Sequence, residues 1–367
     1  MSVYKHIFRP LLFKIDPEKI HNFSIGMGEK LGHCKPFISA LNKFYNVKDQ
    51  KLESTVSGIK FKNPIGLAAG YDKSGQAIPF LESLGFSHTE IGSISARSSV
   101  GNPKPRLFRL PEDEALVVHY GLQNDGAEVI KDRLEKKNHR FPLGVNIVKT
   151  NRGIGAPADS EEDILNDYRI STELLKSQAD YLTFNMSCPN TEMGRDYFVD
   201  KKHIERFLNM LSEVEINCPV FLKISPVGGV ENIEKYLEAV DGFDFISGFI
   251  FNLPPGKMVP LKTSEKVWGK MPGAISGKPV ESLINYSVGE MYKRMDRSKY
   301  SIIGAGGIST AEDAFTKIKL GASLVQLLTS MIYNGPSVVK KINIDLIQLL
   351  ELDGFKNISE AIGTAHS

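Results

Sequence analysis

Val220-Phe221-Leu222-Lys223-Ile224 is short, β-rich and almost continuously apolar. A strand with one wet face alternates polar and apolar residues; an unbroken apolar run belongs to a strand buried on both faces, as in a parallel sheet. Seven further β-rich runs lie around it: Pro64–Ala69, His88–Gly92, Leu143–Ile147, Tyr181–Asn185, Phe245–Phe251, Ser301–Gly304 and Leu324–Leu328. Helical spacings separate most of them. Eight such runs alternating with helices predict an α/β fold, a (β/α)8 TIM barrel, beginning near Val56. The gaps after the second and sixth runs are long and predict inserted loops or a hairpin above the barrel mouth. No linker or internal repeat interrupts the pattern.

The first fifty residues read differently. Ser2–Phe13 carries Val3, Tyr4, Ile7, Phe8, Leu11 and Leu12 at helical spacing, with Lys5, His6 and Arg9 along one edge. Asp16-Pro17-Glu18 has the order of a helix cap, a first-turn proline and a first-turn acid. An amphipathic helix with Ile20, Phe23, Ile25, Met27 and Leu31 follows, then a third segment from Pro36 to Tyr45. The division expected is a helical module over 1–50 and a barrel over 51–367. The module either docks on the barrel or, through its broad apolar faces and basic edge, lies on a membrane surface.

Composition narrows the function. With 45 basic and 43 acidic residues among 367, the net charge of +2 leaves no electrostatic footprint for nucleic acid. Three cysteines, Cys34, Cys188 and Cys218, make no disulfide framework and favour a reducing compartment. No apolar run approaches the length of about 18 residues that reads as a membrane span. The eight histidines show no paired metal-ligand spacing, so no metal is expected.

In barrels the chemistry gathers at the C-terminal ends of the strands. Those ends read Ala69-Gly70-Tyr71-Asp72-Lys73, Gly92-Ser93, Asn146, Asn185-Met186-Ser187-Cys188-Pro189-Asn190, Lys223, Asn252, Gly304-Ala305-Gly306-Gly307 and Thr329. Packing alone does not call for amides, hydroxyls, lysines and glycines at nearly every strand end. Gly304–Gly307, ahead of a helix starting near Thr310, suits a phosphate, and Leu328-Thr329-Ser330 is placed to reach the same group. Lys73 and Lys223 suit the negative charge of a reduced flavin, or else a Schiff base of the aldolase type. Cys188 stands among polar residues, where a thiol of ordinary pKa about 8.5 can be tuned into a base. His119 and Tyr120 are placed to reach the mouth from the second insertion.

Several of these segments together resemble the dihydroorotate dehydrogenases: Asn63-Pro64-Ile65-Gly66-Leu67-Ala68-Ala69-Gly70-Tyr71-Asp72-Lys73, Gly101–Leu110, Asn185–Asn190, Ile303–Ile308 and Gly321–Gln326. The resemblance runs through almost the whole chain. It implies an FMN-containing barrel that oxidises (S)-dihydroorotate to orotate in pyrimidine biosynthesis. It also implies that Ala69, Gly70, Tyr71, Asp72, Lys73, Ser93, Asn146, Asn185, Lys223, Phe251, Gly277, Gly306, Gly307, Leu328 and Thr329 contact FMN. Lys73, Asn185, Asn190 and Asn252 would hold the substrate. Cys188 would take the C5 proton while hydride leaves C6 for the flavin.

The resemblance has two sides. Ile7–Glu18 with His21 resembles the N-terminal extension of the membrane-associated, quinone-using enzymes, which normally use a serine base. Cys188 and the tail Gly354–Gly363 resemble the soluble class. The long extension implies quinone as acceptor and a peripheral position on the cytoplasmic side of the inner membrane, with a soluble cytoplasmic enzyme as the alternative. Two positions depart from the family pattern: Val118 stands where an asparagine is expected, and Leu253 where a hydroxyl is. Each polar group left unpaired in a substrate pocket costs about 1–3 kcal/mol. The competing readings are therefore an FMN enzyme with a less polar substrate, an aldolase-type phosphate-binding barrel and a non-catalytic flavoprotein on a membrane.

Overall fold

The computed structural model describes residues 3–136, 141–153, 155–187 and 197–366. After the N-terminal helices comes a hairpin of β1 (Ser54–Val56) and β2 (Ile59–Phe61). Ser57 and Gly58 form its two-residue turn, with φ of 48° and 80°, the doubly positive backbone that matches strand twist. The barrel strands are β3 (Ile65–Leu67) and β4 (His88–Ile94). A second hairpin, β5 (Leu107–Leu110) and β6 (Ala115–Val118), interrupts them. Then come β7 (Leu143–Ile147), β8 (Tyr181–Asn185), β9 (Val220–Ile224) and β10 (Ile246–Phe251), the inserted β11 (Ala274–Gly277), and β12 (Ser301–Ala305) and β13 (Leu324–Leu327).

Eight strands close in the order β10-β12-β13-β3-β4-β7-β8-β9, every neighbouring pair parallel. All eight apolar runs are barrel strands, with ends shifted by at most two residues. Helices return the chain outside the barrel, among them Glu161–Leu175, Lys201–Ser212, Glu281–Arg294, Ala311–Lys319 and Val338–Leu352. Inside, bulk is accommodated by glycine. A Cβ on Gly66 would lie 2.0 Å from the His88 ring, and one on Gly144 would lie 2.2 Å from the Tyr181 ring. Val56 and Phe61 of the first hairpin pack with Tyr181, Phe221 and Leu324 and close the N-terminal end.

The two long gaps meet at the other end. β5, β6 and β11 form a three-stranded antiparallel sheet in the order β11-β6-β5. Thus the insertion after the second run supplies a hairpin, and the insertion after the sixth supplies a strand that pairs with it. The N-terminal segment forms a π-helical turn at Tyr4–Phe8, then α1 (Arg9–Leu12), α2 (Pro17–Gly32) and α3 (Lys35–Tyr45). Asp16 caps α2 by accepting from the Lys19 N–H at 2.9 Å. α2 lies against β5 and α4 (Ile78–Glu82). Gly28 permits the approach, since a Cβ there would meet Phe80 at 2.9 Å. The other side of the segment leaves Phe8, Leu11, Phe23 and Phe44 more than half exposed. Among the described residues, no helix is long and apolar enough to cross a membrane.

Candidate active site

One cavity lies at the C-terminal ends of the barrel strands, between the barrel, the inserted sheet and α2. Ala69, Gly70, Tyr71, Lys73, Ser93, Asn185, Lys223, Phe251, Asn252, Gly277, Gly306, Gly307, Leu328 and Thr329 all line it. These residues come from seven strand ends and from β11, so the register of the closed barrel is what brings them together.

The floor is polar and fully interlinked. Glu90 of β4 is buried inside the barrel, 3.1 Å from the Lys223 ammonium of β9. Burial would raise its carboxyl pKa. The Lys223 charge outweighs that, with hydrogen bonds from Gln326, Lys223 and Asn146, and holds the pKa below the ordinary value. The Asn146 amide donates to Glu90 at 2.8 Å and its oxygen accepts from the Ser93 hydroxyl. Asn185 donates to Ser93 and Asn252 donates to Asn185, both at 3.0 Å.

The wall facing α2 is built otherwise. Lys73 Nζ lies 2.8 Å from His21 Nε2 and 3.9 Å from the centre of the Tyr120 ring. Burial pushes its pKa down to about 7, with the nearby Arg106 charge acting in the same direction and Asp72 and Glu18 opposing. Burial, and then the charge of Lys73, hold His21 well below its ordinary value, so the neutral ring accepts from the ammonium. Behind Tyr120, Glu18 of α2 receives two hydrogen bonds from Arg106, at 2.8 and 3.2 Å, and both side chains are buried. The Ser24 hydroxyl of α2 meets the Tyr71 hydroxyl at 3.0 Å. Helix α2 therefore forms part of the cavity wall through His21.

At the third side, Gly306 and Gly307 (φ 100° and 77°) face Ser276, Thr329 and Ser330. The Ser276 and Thr329 hydroxyls are 3.0 Å apart. A Cβ on Gly277 (φ 99°) would meet the Glu114 carbonyl at 2.4 Å. Bare backbone and converging hydroxyls fit a phosphate. The start of the helix following the glycines is held by its own side chains. Thr310 and Asp313 form a capping box on Ala311–Lys319, and Asp313 accepts the Ser309 and Thr310 N–H groups, so that helix start is already capped.

Three expected residues lie elsewhere. Asp72 turns its carboxylate to the Gln76 and Ala77 N–H groups at 2.8 and 2.7 Å and is a backbone anchor. Asn146 sits one layer beneath the cavity, within the floor network. His119 turns to Asn102 at 3.1 Å, while its neighbour Tyr120 enters the cavity. Cys188 and Asn190 lie outside the described residues. Val118 and Leu253 both line the cavity, so the departures from the family pattern fall within the site. Glu90, Gln326 and Ser276 are additional members. A lone glutamate in a short β-rich run carried no signal by itself; only the lysine 133 positions later, on a strand one would have to place first, makes it readable.

The family model described as dihydroorotate dehydrogenase matches residues 51–350. The dihydroorotate dehydrogenase (quinone) of Bartonella tribocorum is 36% identical over 98% of this chain and 96% of its own. That of Christiangramia forsetii is 37% identical over 94% of this chain and 99% of its own. Among solved structures, the ligand-free DHODH of Eimeria tenella superposes with a TM-score of 0.80 at 29% identity, covering 96% of this chain and all of that one.

Proposed function

The chain belongs to the dihydroorotate dehydrogenase family, and from that premise we propose that its cavity holds FMN beside (S)-dihydroorotate. The reaction is oxidation of dihydroorotate to orotate, with quinone as electron acceptor. The observation that carries the reading is the division of the cavity into three parts: a glycine-and-hydroxyl cradle, a donor-rich floor with Lys223, and a wall with Lys73. A phosphate, a ring with several carbonyls and a carboxylate are the groups such parts accept.

FMN, when bound, supplies a two-electron acceptor for hydride. Gly306, Gly307, Ser276 and Thr329 would hold its phosphate, and Ser93, Asn185 and Lys223 its ring. Lys73, Asn185 and Asn252 would orient the substrate, and Asn190 joins that set on the sequence resemblance alone. Cys188 is the base that removes the C5 proton, and positioned donors stabilise the charge that develops on the neighbouring carbonyl. Asp72 is not included in the binding set. The family membership displaces the aldolase reading of Lys73 and Lys223.

The N-terminal helices support a quinone-side role. Among them α2 walls the cavity beside Lys73, and their outward face carries exposed Phe8, Leu11 and Phe23. Adsorption of that face to a bilayer would bring an apolar acceptor to the cavity edge. The testing experiment is an anaerobic absorbance spectrum, first with dihydroorotate and then with a ubiquinone analogue. Bleaching of a flavin band by the first and its return with the second are expected. A flavin band that dihydroorotate leaves unchanged would refute the substrate assignment. Co-sedimentation with anionic lipid vesicles tests the membrane reading, and Phe8→Ser with Phe23→Ser is expected to abolish it.

A further inference from the structure

Glu90 has four hydrogen-bond partners among the described residues, and all four donate to it. Asn146 Nδ2 and Lys223 Nζ reach Oε1 at 2.8 and 3.1 Å. Thr183 Oγ1 and Gln326 Nε2 reach Oε2, both at 3.2 Å. A carboxylate can only accept, so each amide that touches it must present its NH2 end.

The consequence propagates. Asn146, turned NH2-inward, offers only its oxygen to Ser93, which must donate. The Ser93 oxygen then receives the Asn185 NH2, and the Asn185 oxygen receives the Asn252 NH2. The run ends where Asn252 Oδ1 accepts the Leu253 main-chain N–H at 2.9 Å. A main-chain N–H can only donate, so the carboxylate at one end and the peptide at the other require the same direction. The Ser187 N–H also donates to Asn185 Oδ1 at 3.3 Å, which fills that oxygen. What Asn185 retains for a bound molecule is N–H. On the other arm, Gln326 gives its NH2 to Glu90 and to the Tyr181 hydroxyl. Its Oε1 is buried with no partner among the described residues, and the side chain lines the cavity.

We propose that Glu90 is a positioning residue that fixes the hydrogen-bond polarity of the cavity floor, so that Asn185 presents a donor and Gln326 presents an acceptor to the bound ring. On the Asn185 arm the carboxylate and the Ser187 and Leu253 N–H groups require the same direction, and on the Gln326 arm the buried carboxylate sets it. In one respect this rests on the flavin and dihydroorotate reading: the ring that meets the floor then carries carbonyl oxygens beside an N–H, the pattern complementary to this one.

Two measurements test it. Neutron diffraction from crystals of the purified protein reads the amide directions directly, whatever is bound. The expected result is NH2 of Asn146 and Gln326 toward Glu90 and NH2 of Asn185 toward Ser93. A reversed Asn185 or Gln326 would overturn the proposal. The second measurement is FMN binding to Glu90→Gln, followed by flavin fluorescence. Lys223 cannot accept, so the new amide keeps its oxygen there and turns its NH2 to Gln326, which must reverse. FMN binding is expected to weaken at least tenfold, and Glu90→Asp, which restores two acceptors, recovers most of the loss. A Glu90→Gln protein that holds FMN within twofold of the wild-type affinity would overturn the proposal. If that variant does not fold, the neutron result decides. A colourless wild-type protein would refute the flavin reading and leave the amide directions still measurable.

Discussion

Of the two lysines of the cavity, Lys223 is buried and Lys73 half-buried, and their surroundings differ. Lys223 rises from a barrel strand against the Glu90 carboxylate. Lys73 leaves the end of the first barrel strand and meets a neutral imidazole and an aromatic ring supplied from outside the barrel. The nearest carboxylate in sequence, Asp72, is turned away to backbone N–H groups. The barrel interior thus carries its own counter-charge, whereas at the extension wall no carboxylate pairs directly with Lys73 among the described residues. The difference assigns the two residues different work. Lys223 is a fixed part of the floor, and Lys73 is the group that suits the substrate carboxylate in the proposed function.

Stability measurements separate the two. Lys223→Met strands a buried carboxylate and is expected to cost about 3–5 kcal/mol in denaturant unfolding, the usual scale for breaking a buried pair. Glu18→Gln, which keeps an acceptor oxygen for Arg106 but removes the charge that ties α2 to it, is expected to cost about 1.5–3 kcal/mol and no more, because Arg106 also keeps its bonds to Val100, Asn102 and Gln123. Lys73→Met leaves no carboxylate unpaired and is expected to stay within about 1 kcal/mol of wild type, or to exceed it. If Lys73→Met proves as destabilising as Lys223→Met, the contrast fails.

A further effect concerns pH. The folded Lys73 titrates at about 7, against 10.5 for an unperturbed lysine. Between those values the unfolded chain holds a proton that the folded chain has lost. Unfolding free energy therefore rises with pH across this window from Lys73, and the contribution is flat below about pH 7. Lys73→Met is expected to remove that part of the slope, read as the difference between the two proteins' stability profiles from pH 7 to 9.

Much of this arrangement was legible in the sequence. Runs such as Val220–Ile224 are apolar on both faces because the barrel buries both, and that pattern survives without tertiary knowledge. The strand-end residues were legible for a related reason: polar groups at the end of an apolar strand have a topological address. The mouth sheet was readable only as a gap, since β5 and β6 are four residues each and are separated by Pro111-Glu112-Asp113-Glu114. Glu90 was invisible because its partner lies on a strand 133 residues away. On α2 the apolar stripe drew the reading toward Phe23 and Met27, which are exposed. Glu18, His21 and Ser24 face the site instead, and an amphipathic pattern gives no signal for polar residues that find partners across an interface.

The most direct test is orotate affinity as a function of pH, from 6 to 9, followed by the flavin spectrum in wild type and in Lys73→Met. A carboxylate that binds the charged form of Lys73 must supply the lysine's protonation above its pKa. Wild-type binding is therefore expected to be level below pH about 7 and to weaken roughly tenfold per unit above it. Lys73→Met is expected to bind weakly and without that dependence. A wild-type profile that stays level through pH 9 would contradict this reading of Lys73 and, with it, the distinction between the two sides of the cavity.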